Sequence, residues 1–211
     1  MFQSFRGMVP VVDASSYVHP LACVIGHVTI GPKCYIGAGA VLRGDWGRIV
    51  LEAGCNVQEN CTLHLFPNGE VYLEEGAHIG HGAIIHGARI GRQCLVGMNS
   101  VIMDDVVLGA ESIVGALSFV PAGSTWAPRS LLVGNPAQRR GEVTDAQIEH
   151  KIEGTRLYQE LPAHMHASGQ TCSPDSTIPE DRIAVFPSYA TWQARKREKP
   201  GQPNGDSGAE R

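Results

Sequence analysis

Aliphatic residues recur every six positions along most of this chain. Val18, Val24, Ile30, Ile36 and Leu42 form one run, Leu51, Val57 and Leu63 keep the spacing after a slip at Gly44–Arg48, and Ile79 and Ile85 resume it after a break. Ile90, Val96, Ile102, Leu108, Val114 and Val120 then carry it on. An α-helix repeats its apolar face every 3.6 residues or so and a flat strand every second residue, so a sustained period of six fits neither. It fits a coil of short strands and tight corners, in which each unit is one side of a triangular turn and its aliphatic residue points inward. One such unit cannot bury its face alone, so successive coils must stack in parallel. Gly26, Gly31, Gly37, Gly91, Gly97, Gly109 and Gly115 fall at the expected corners, where a positive φ would favour glycine.

The fold expected is therefore all-β, a left-handed parallel β-helix over residues 1–140, assembled as a trimer. The period lapses after Pro121, and Leu132-Val133-Gly134-Asn135-Pro136-Ala137 reads as a closing turn. Thr144-x-x-Gln147 has capping-box spacing, and Ile148, Ile152, Leu157 and Leu161 give an apolar stripe for a helix from about 145 to 161, within a segment 141–168 packed on the outside of the coil. Residues 169–211 read as an extended or partly disordered tail. The run Arg195-Lys196-Arg197-Glu198-Lys199 sits in it, and residues after about 193 are expected to be mobile.

A formal net charge of −4 with 18% charged residues lacks the basic excess that phosphate binding needs, so nucleic acid is not an expected partner. No long apolar stretch follows the N-terminal Met-Phe-Gln-Ser-Phe-Arg-Gly, and no run approaches the ~18 residues of a membrane span, which points to a cytoplasmic protein without a membrane partner. Cys23, Cys34, Cys55, Cys61, Cys94 and Cys172 form no CxxC pair and read as reduced thiols, mostly small buried filler.

Four of the nine histidines fall between positions 64 and 86. Neutral imidazole is the commonest zinc ligand, and three imidazoles with one open position make a catalytic rather than a structural site. His64, His81 and His86 are the expected set, with zinc as the metal and iron(II) or cobalt(II) as alternatives. His81 and His86 are five apart, a step that crosses a corner of a six-residue face, and His64 lies close to one coil before both. If two of them share a face and the third lies on the next, one chain cannot gather all three, whereas a threefold assembly brings unlike faces together. His19, His27, His78, His150, His164 and His166 read as hydrogen-bonded surface residues.

Arg43-Gly44-Asp45, Asn56-Val57-Gln58-Glu59-Asn60-x-x-x-His64 and His81-x-x-x-x-His86-Gly87 together resemble the ordered motifs of the γ-class carbonic anhydrase family, over about residues 8–165. Gly44–Val50, Val96–Val101, Ser112–Ala116 and Gly154-Thr155…Tyr158-Gln159 resemble the branch of that family containing the phenylacetic acid degradation protein PaaY and the carnitine operon protein CaiE. The resemblance implies that His64 and His86 come from one subunit and His81 from its neighbour, that Arg43 and Asp45 form an ion pair at that interface, that Gln58 orients metal-bound water, and that Tyr158 overhangs the metal. Two departures stand out. Trp46 follows the Arg-Gly-Asp element where active carbonic anhydrases have a glutamate, and no acidic loop follows His64 to relay protons, so rapid carbon dioxide hydration lacks its usual carboxylates.

The function the resemblance implies is a metal-dependent thioesterase that hydrolyses acyl-CoA in phenylacetate catabolism with a metal-bound hydroxide, Gln58, Tyr158, Arg43 and Asp45 serving as the catalytic set. The alternatives are reversible hydration of carbon dioxide to bicarbonate, CoA-dependent acyl transfer with a histidine base and no metal, and a non-catalytic trimeric assembly subunit.

Overall fold

A computed structural model describes residues 1–182 and 186–198 and divides the chain into two units, Met1–Gly169 and Gln170–Arg211. In the first unit short strands form three parallel columns. One column stacks Tyr17–Val18, Tyr35–Ile36, Asn56–Val57, His78–Ile79, Leu95–Val96, Ile113–Val114 and Ser130–Gly134. A second runs from Cys23–Ile30 and Val41–Leu51 through Thr62–His64, Ile84–His86 and Val101–Ile102 to Phe119–Val120. The third takes the far ends of the same two long strands on through Glu70–Leu73, Arg89–Ile90 and Val107–Leu108 to Thr125–Trp126. Three such columns make a left-handed parallel β-helix. An antiparallel pairing of Ala137–Glu142 with Ser130–Gly134 ends the stack.

The six-residue period is the core. Val24, Ile30, Ile36, Leu42, Leu51, Val57, Leu63, Ile79, Ile85, Ile90, Val96, Ile102, Leu108, Val114 and Val120 are all buried in one cluster, with Val18 packed against it. Removing each such side chain from water contributes about 1.5–3 kcal/mol, which is what drives one coil onto the next. The period does not lapse at Pro121. Trp126 packs partly buried against the core and Leu132 lies within it, each six residues on from the last, and the sequence hid the continuation because the first of the two is aromatic.

The glycines require a correction. Of the seven expected at corners with positive φ, only Gly26 has it, at 72°. What excludes a side chain from the others is the neighbouring coil: a Cβ on Gly109 would stand 2.3 Å from the Pro128 nitrogen, and one on Gly97 2.5 Å from that of Ala116. The left-handed corner positions are instead held by residues such as Asn60, Asn99 and Asp105, with φ of 60°, 54° and 58°.

The cysteines do more than fill space. At one corner Ser16 Oγ donates to the Gly31 carbonyl (2.6 Å), Cys34 Sγ to that of Glu52 (3.1 Å), Cys55 Sγ to that of Glu74 (3.2 Å), Cys94 Sγ to that of Gly109 (3.1 Å) and Ser112 Oγ to that of Ala127 (3.3 Å). Each small donor satisfies a carbonyl that the bend leaves without a strand partner. All six thiols are free.

Helix α1 spans Asp145–Ser168, opened by the Thr144–Gln147 capping box, and Pro162 lies inside it rather than ending it. It lies against Tyr17–Val18, Tyr35–Ile36 and Asn56–Val57 of the first column. Its docking face is not the expected apolar stripe: Ile152 is exposed, whereas Ile148, Lys151, Thr155 and Pro162 are buried. The coil surface below presents corner carbonyls and polar side chains, so the helix meets it with donors. Lys151 Nζ donates to the Gly76 carbonyl (2.6 Å) and Gln93 Oε1 (2.7 Å), and Gln159 Nε2 donates to the Gly54 carbonyl (3.2 Å).

In the second unit the stretch expected to be mobile after about 193 contains helix α2, Trp192–Glu198, begun by Thr191, whose Oγ1 accepts from the Ala194 N–H (3.2 Å). The rest of that expectation, from 199 onward, lies outside the described residues. Among the described residues no helix is long and apolar enough to cross a membrane.

Candidate metal centre

Leu63 and Ile85 point into the core, so the next residues in their strands, His64 and His86, point out of it. The two are register partners on successive coils. Their rings meet edge to face at 5.2 Å, with His64 Nδ1 3.3 Å from His86 Nε2. Each ring is held at its other nitrogen by a carboxylate. Asp104, one coil beyond His86, accepts from His86 Nδ1 (2.7 Å), and Asp45 Oδ1 accepts from His64 Nε2 (3.2 Å). Arg43 completes this group, bonding Asp45 Oδ2 through Nη1 (2.8 Å) and reaching His64 Nδ1 through Nη2 (3.3 Å).

These partners fix where the protons are. His86 carries its proton on Nδ1 and His64 on Nε2, so the nitrogens that face each other are both lone-pair nitrogens. Enclosure lowers the His64 pKa and the Arg43 charge adds to this, with Asp45 opposing, so the imidazole is held neutral as a metal ligand must be. Burial acts to raise Asp45, but the hydrogen bond and charge of Arg43 outweigh it and hold that carboxyl below its ordinary value.

Aromatic rings border the pair. Trp46 is half exposed, with its ring 5.2 Å from that of His64 and the Arg43 guanidinium 5.5 Å from its centroid, and the exposed Phe66 lies edge-on to His86 at 5.0 Å. A shallow depression of about 420 Å³ adjoins them, lined by His27, Trp46, Arg48, Asn68 and Glu70 with two glycines.

His81 belongs to a different group. Its Nδ1 bonds Glu59 Oε2 at 2.7 Å, its side chain is 47% exposed, and its Nε2 is directed away from that carboxylate. Glu59 Oε1 also accepts from the Tyr35 hydroxyl (3.0 Å). Gln58, buried, accepts the His81 N–H on Oε1 (3.2 Å) and donates from Nε2 to Asn56 Oδ1 (3.0 Å) and toward His78 Nε2 (2.6 Å). Tyr158 sits over this second group, 5.2 Å from the His78 ring and 5.7 Å from that of Tyr35, and burial, with the Glu59 charge, raises its pKa. Within one chain, then, Arg43, Asp45, His64 and His86 come together, while Gln58, His81 and Tyr158 form a separate set. Among the described residues no group of three or more His, Cys, Asp or Glu side chains is arranged to hold a metal ion.

Sequence reasoning missed Asp104, Glu59 and His78. Asp104 lies eighteen residues after His86, one coil further on, so coil arithmetic could have found it. His78, expected at the surface, instead lies beneath α1, its Nδ1 3.3 Å from the buried Thr155 Oγ1.

A profile of the bacterial transferase hexapeptide family (six repeats) matches residues 87–122. The carnitine operon protein CaiE of Salmonella agona (strain SL483) is 45% identical over 181 residues, covering 86% of this chain and 91% of its own length. CaiE of Escherichia coli (strain K12) is also 45% identical, over 86% and 92%. CaiE of Proteus sp. (strain LE138) is 48% identical over 75% and 80%. Among solved structures, a hexapeptide transferase family protein from Anaplasma phagocytophilum superposes with a TM-score of 0.74 at 30% identity, covering 77% of this chain and 96% of that one. The BC4754 gene product of Bacillus cereus, described as an acetyltransferase, gives 0.77 at 28% identity over 79% and 96%.

Proposed function

Since the chain belongs to the CaiE family of hexapeptide-repeat proteins, we propose that it is a metal-dependent hydrolase of acyl-CoA thioesters, with its site completed between copies of the chain in a trimer. One observation carries the metal: two unprotonated nitrogens, His64 Nδ1 and His86 Nε2, face each other 3.3 Å apart. In this chain Arg43 Nη2 lies 3.3 Å from His64 Nδ1 and meets its lone pair, and a cation held between the two histidine nitrogens would take the place of that contact. The separation fits, because two nitrogens each about 2.1 Å from a tetrahedral zinc stand about 3.4 Å apart.

Each of the three histidines has its own carboxylate: Asp45 for His64, Asp104 for His86 and Glu59 for His81. A carboxylate behind a ligating imidazole fixes its tautomer and orientation and raises its basicity. His81 lies in a separate group from the His64–His86 pair of its own chain, and its half-exposed ring suits the pair of a neighbour. A bound zinc would supply Lewis acidity toward an acyl carbonyl and would acidify water. The chain's own part is to orient three imidazoles and to hold that of His64 neutral, with Arg43 keeping Asp45 ionised and Trp46 and Phe66 forming apolar walls beside His64 and His86.

Carbon dioxide hydration would use the same ligands. Trp46 stands against His64 where a carboxylate relay would be wanted, which favours the thioester. Metal-free acyl transfer is the second reading, favoured by the His86–Asp104 pair, which is also the arrangement of a histidine base with its orienting carboxylate. Metal analysis followed by chelation separates them. Loss of acetyl-CoA and phenylacetyl-CoA hydrolysis on chelation, with recovery on adding zinc, is the expected result; acyl transfer indifferent to chelator would overturn the proposal.

A further inference from the structure

The face of the coil beneath α1 carries a directed chain of hydrogen bonds that no reading of the metal ligands uses. Gln58 Oε1 accepts the His81 backbone N–H, so the amide nitrogen must be on the other branch, where it has two acceptors to serve, Asn56 Oδ1 at 3.0 Å and His78 Nε2 at 2.6 Å. His78 Nε2 is therefore a lone-pair nitrogen and the ring proton is on Nδ1, directed at Thr155 Oγ1, 3.3 Å away. Both ends of this chain, Gln58 and Thr155, are buried, and the Tyr158 ring closes over His78 edge to face. His78 is also tied to Asn56 through the backbone, as its register partner one coil on. Every hydrogen of the Gln58 amide is thus committed inside the protein, and the amide cannot rotate without leaving a buried donor unmatched.

From this geometry we propose that His78 is a positioning residue for the site: acting through Gln58, it fixes the segment that presents His81 and makes that placement depend on Thr155 of α1. The inference rests on the reading of His81 as a ligand for a neighbouring copy. Gln58 holds the His81 main chain and Glu59 holds its ring, so two adjacent residues set the position of one imidazole. The helix enters through the Thr155 hydroxyl, which meets His78, and through the Tyr158 ring, which packs on His78 and Tyr35.

Three substitutions test it on the full-length protein. His78→Leu fills the space and removes the acceptor; His78→Gln can accept from Gln58 and donate to Thr155; Thr155→Val removes the acceptor at the far end and leaves the ring in place. Each is loaded with cobalt(II), whose visible spectrum reports ligand geometry, and is assayed with acetyl-CoA. His78→Leu should keep its metal stoichiometry, alter the cobalt spectrum and lower kcat about 10- to 100-fold with little change in KM, while His78→Gln recovers most of both. Thr155→Val should shift the spectrum in the same direction to a smaller extent, and it decides the matter if His78→Leu does not fold. An unchanged spectrum and kcat in a folded His78→Leu would overturn the proposal, as would a loss that His78→Gln fails to restore. Failure of the functional reading looks different: the unmodified protein would then bind no cobalt and cleave no thioester. Nitrogen NMR of the unmodified protein still tests the network in that case, since a His78 ring protonated on Nε2 rather than Nδ1 would exclude it.

Discussion

Asp104 accepts a hydrogen bond from His86 Nδ1 at 2.7 Å from one coil away, and this contact turns Nε2 of the ring toward His64. Replacing the carboxylate by an amide of the same shape keeps the volume and removes the charge. Asp104→Asn should weaken zinc binding about 10- to 100-fold, measured by competition against a chelator of known affinity. An unchanged affinity would show that the carboxylate has no part in holding a metal.

Gly109 and Gly141 separate close packing from backbone freedom. A Cβ at position 109 would meet the Pro128 nitrogen at 2.3 Å, whereas one at 141 meets nothing within 4 Å. Gly109→Ala should cost about 1–3 kcal/mol by forcing coils apart, and Gly141→Ala should stay within about 0.5 kcal/mol. Denaturant midpoints of the two variants give the comparison, and equal costs would refute the close-approach account of the corner glycines.

Lys151 makes stability depend on pH. Burial against Gly76 and Gln93 lowers its pKa from 10.5 to about 7, with the Arg92 charge acting in the same direction and the Cys94 and Cys55 thiols opposing. Between those values the unfolded chain holds a proton that the folded chain lacks, so the lysine's contribution to stability rises with pH from about 7 to about 10, and below 7 its unfavourable contribution is constant. Burial raises the Cys55 and Cys94 thiols and works in the opposite sense, so the difference between the unmodified protein and Lys151→Met isolates the lysine. That difference, from urea unfolding at pH 7, 8 and 9, should move in favour of the unmodified protein as pH rises; a flat difference would mean that the ammonium is solvated.

The period of six was legible because the inward positions within each run obey one rule, and the rule is set by burial alone. Its continuation to Trp126 is masked because that position is filled by an aromatic residue. The face of α1 was misread for a related reason. Hydrophobic periodicity finds a helix face only where the partner surface is apolar, and here the partner offers carbonyls, so Lys151 and Thr155 lie inward and Ile152 outward. The histidines were visible as a cluster, but their carboxylates were not, because Asp45, Asp104 and Glu59 reach them across a corner or a whole coil, and the loops between coils blur that arithmetic.

The division of the site between chains has a test that needs no structure. If His64 and His86 of one copy work with His81 of the next, His81→Ala and His86→Ala are each inactive alone, since every interface lacks one ligand. In a mixed trimer, one interface joins a His81→Ala chain, which keeps its His64–His86 pair, to a His86→Ala chain, which keeps His81. That interface is complete. Random reassociation of equal amounts makes about three quarters of the trimers mixed, with one complete site of three in each, so about a quarter of the unmodified activity and zinc content should return. A site built within a single chain would give none, because neither variant contains a whole one. Return of activity after unfolding and refolding the two variants together, and not after mixing them folded, would tie the recovery to exchange of subunits.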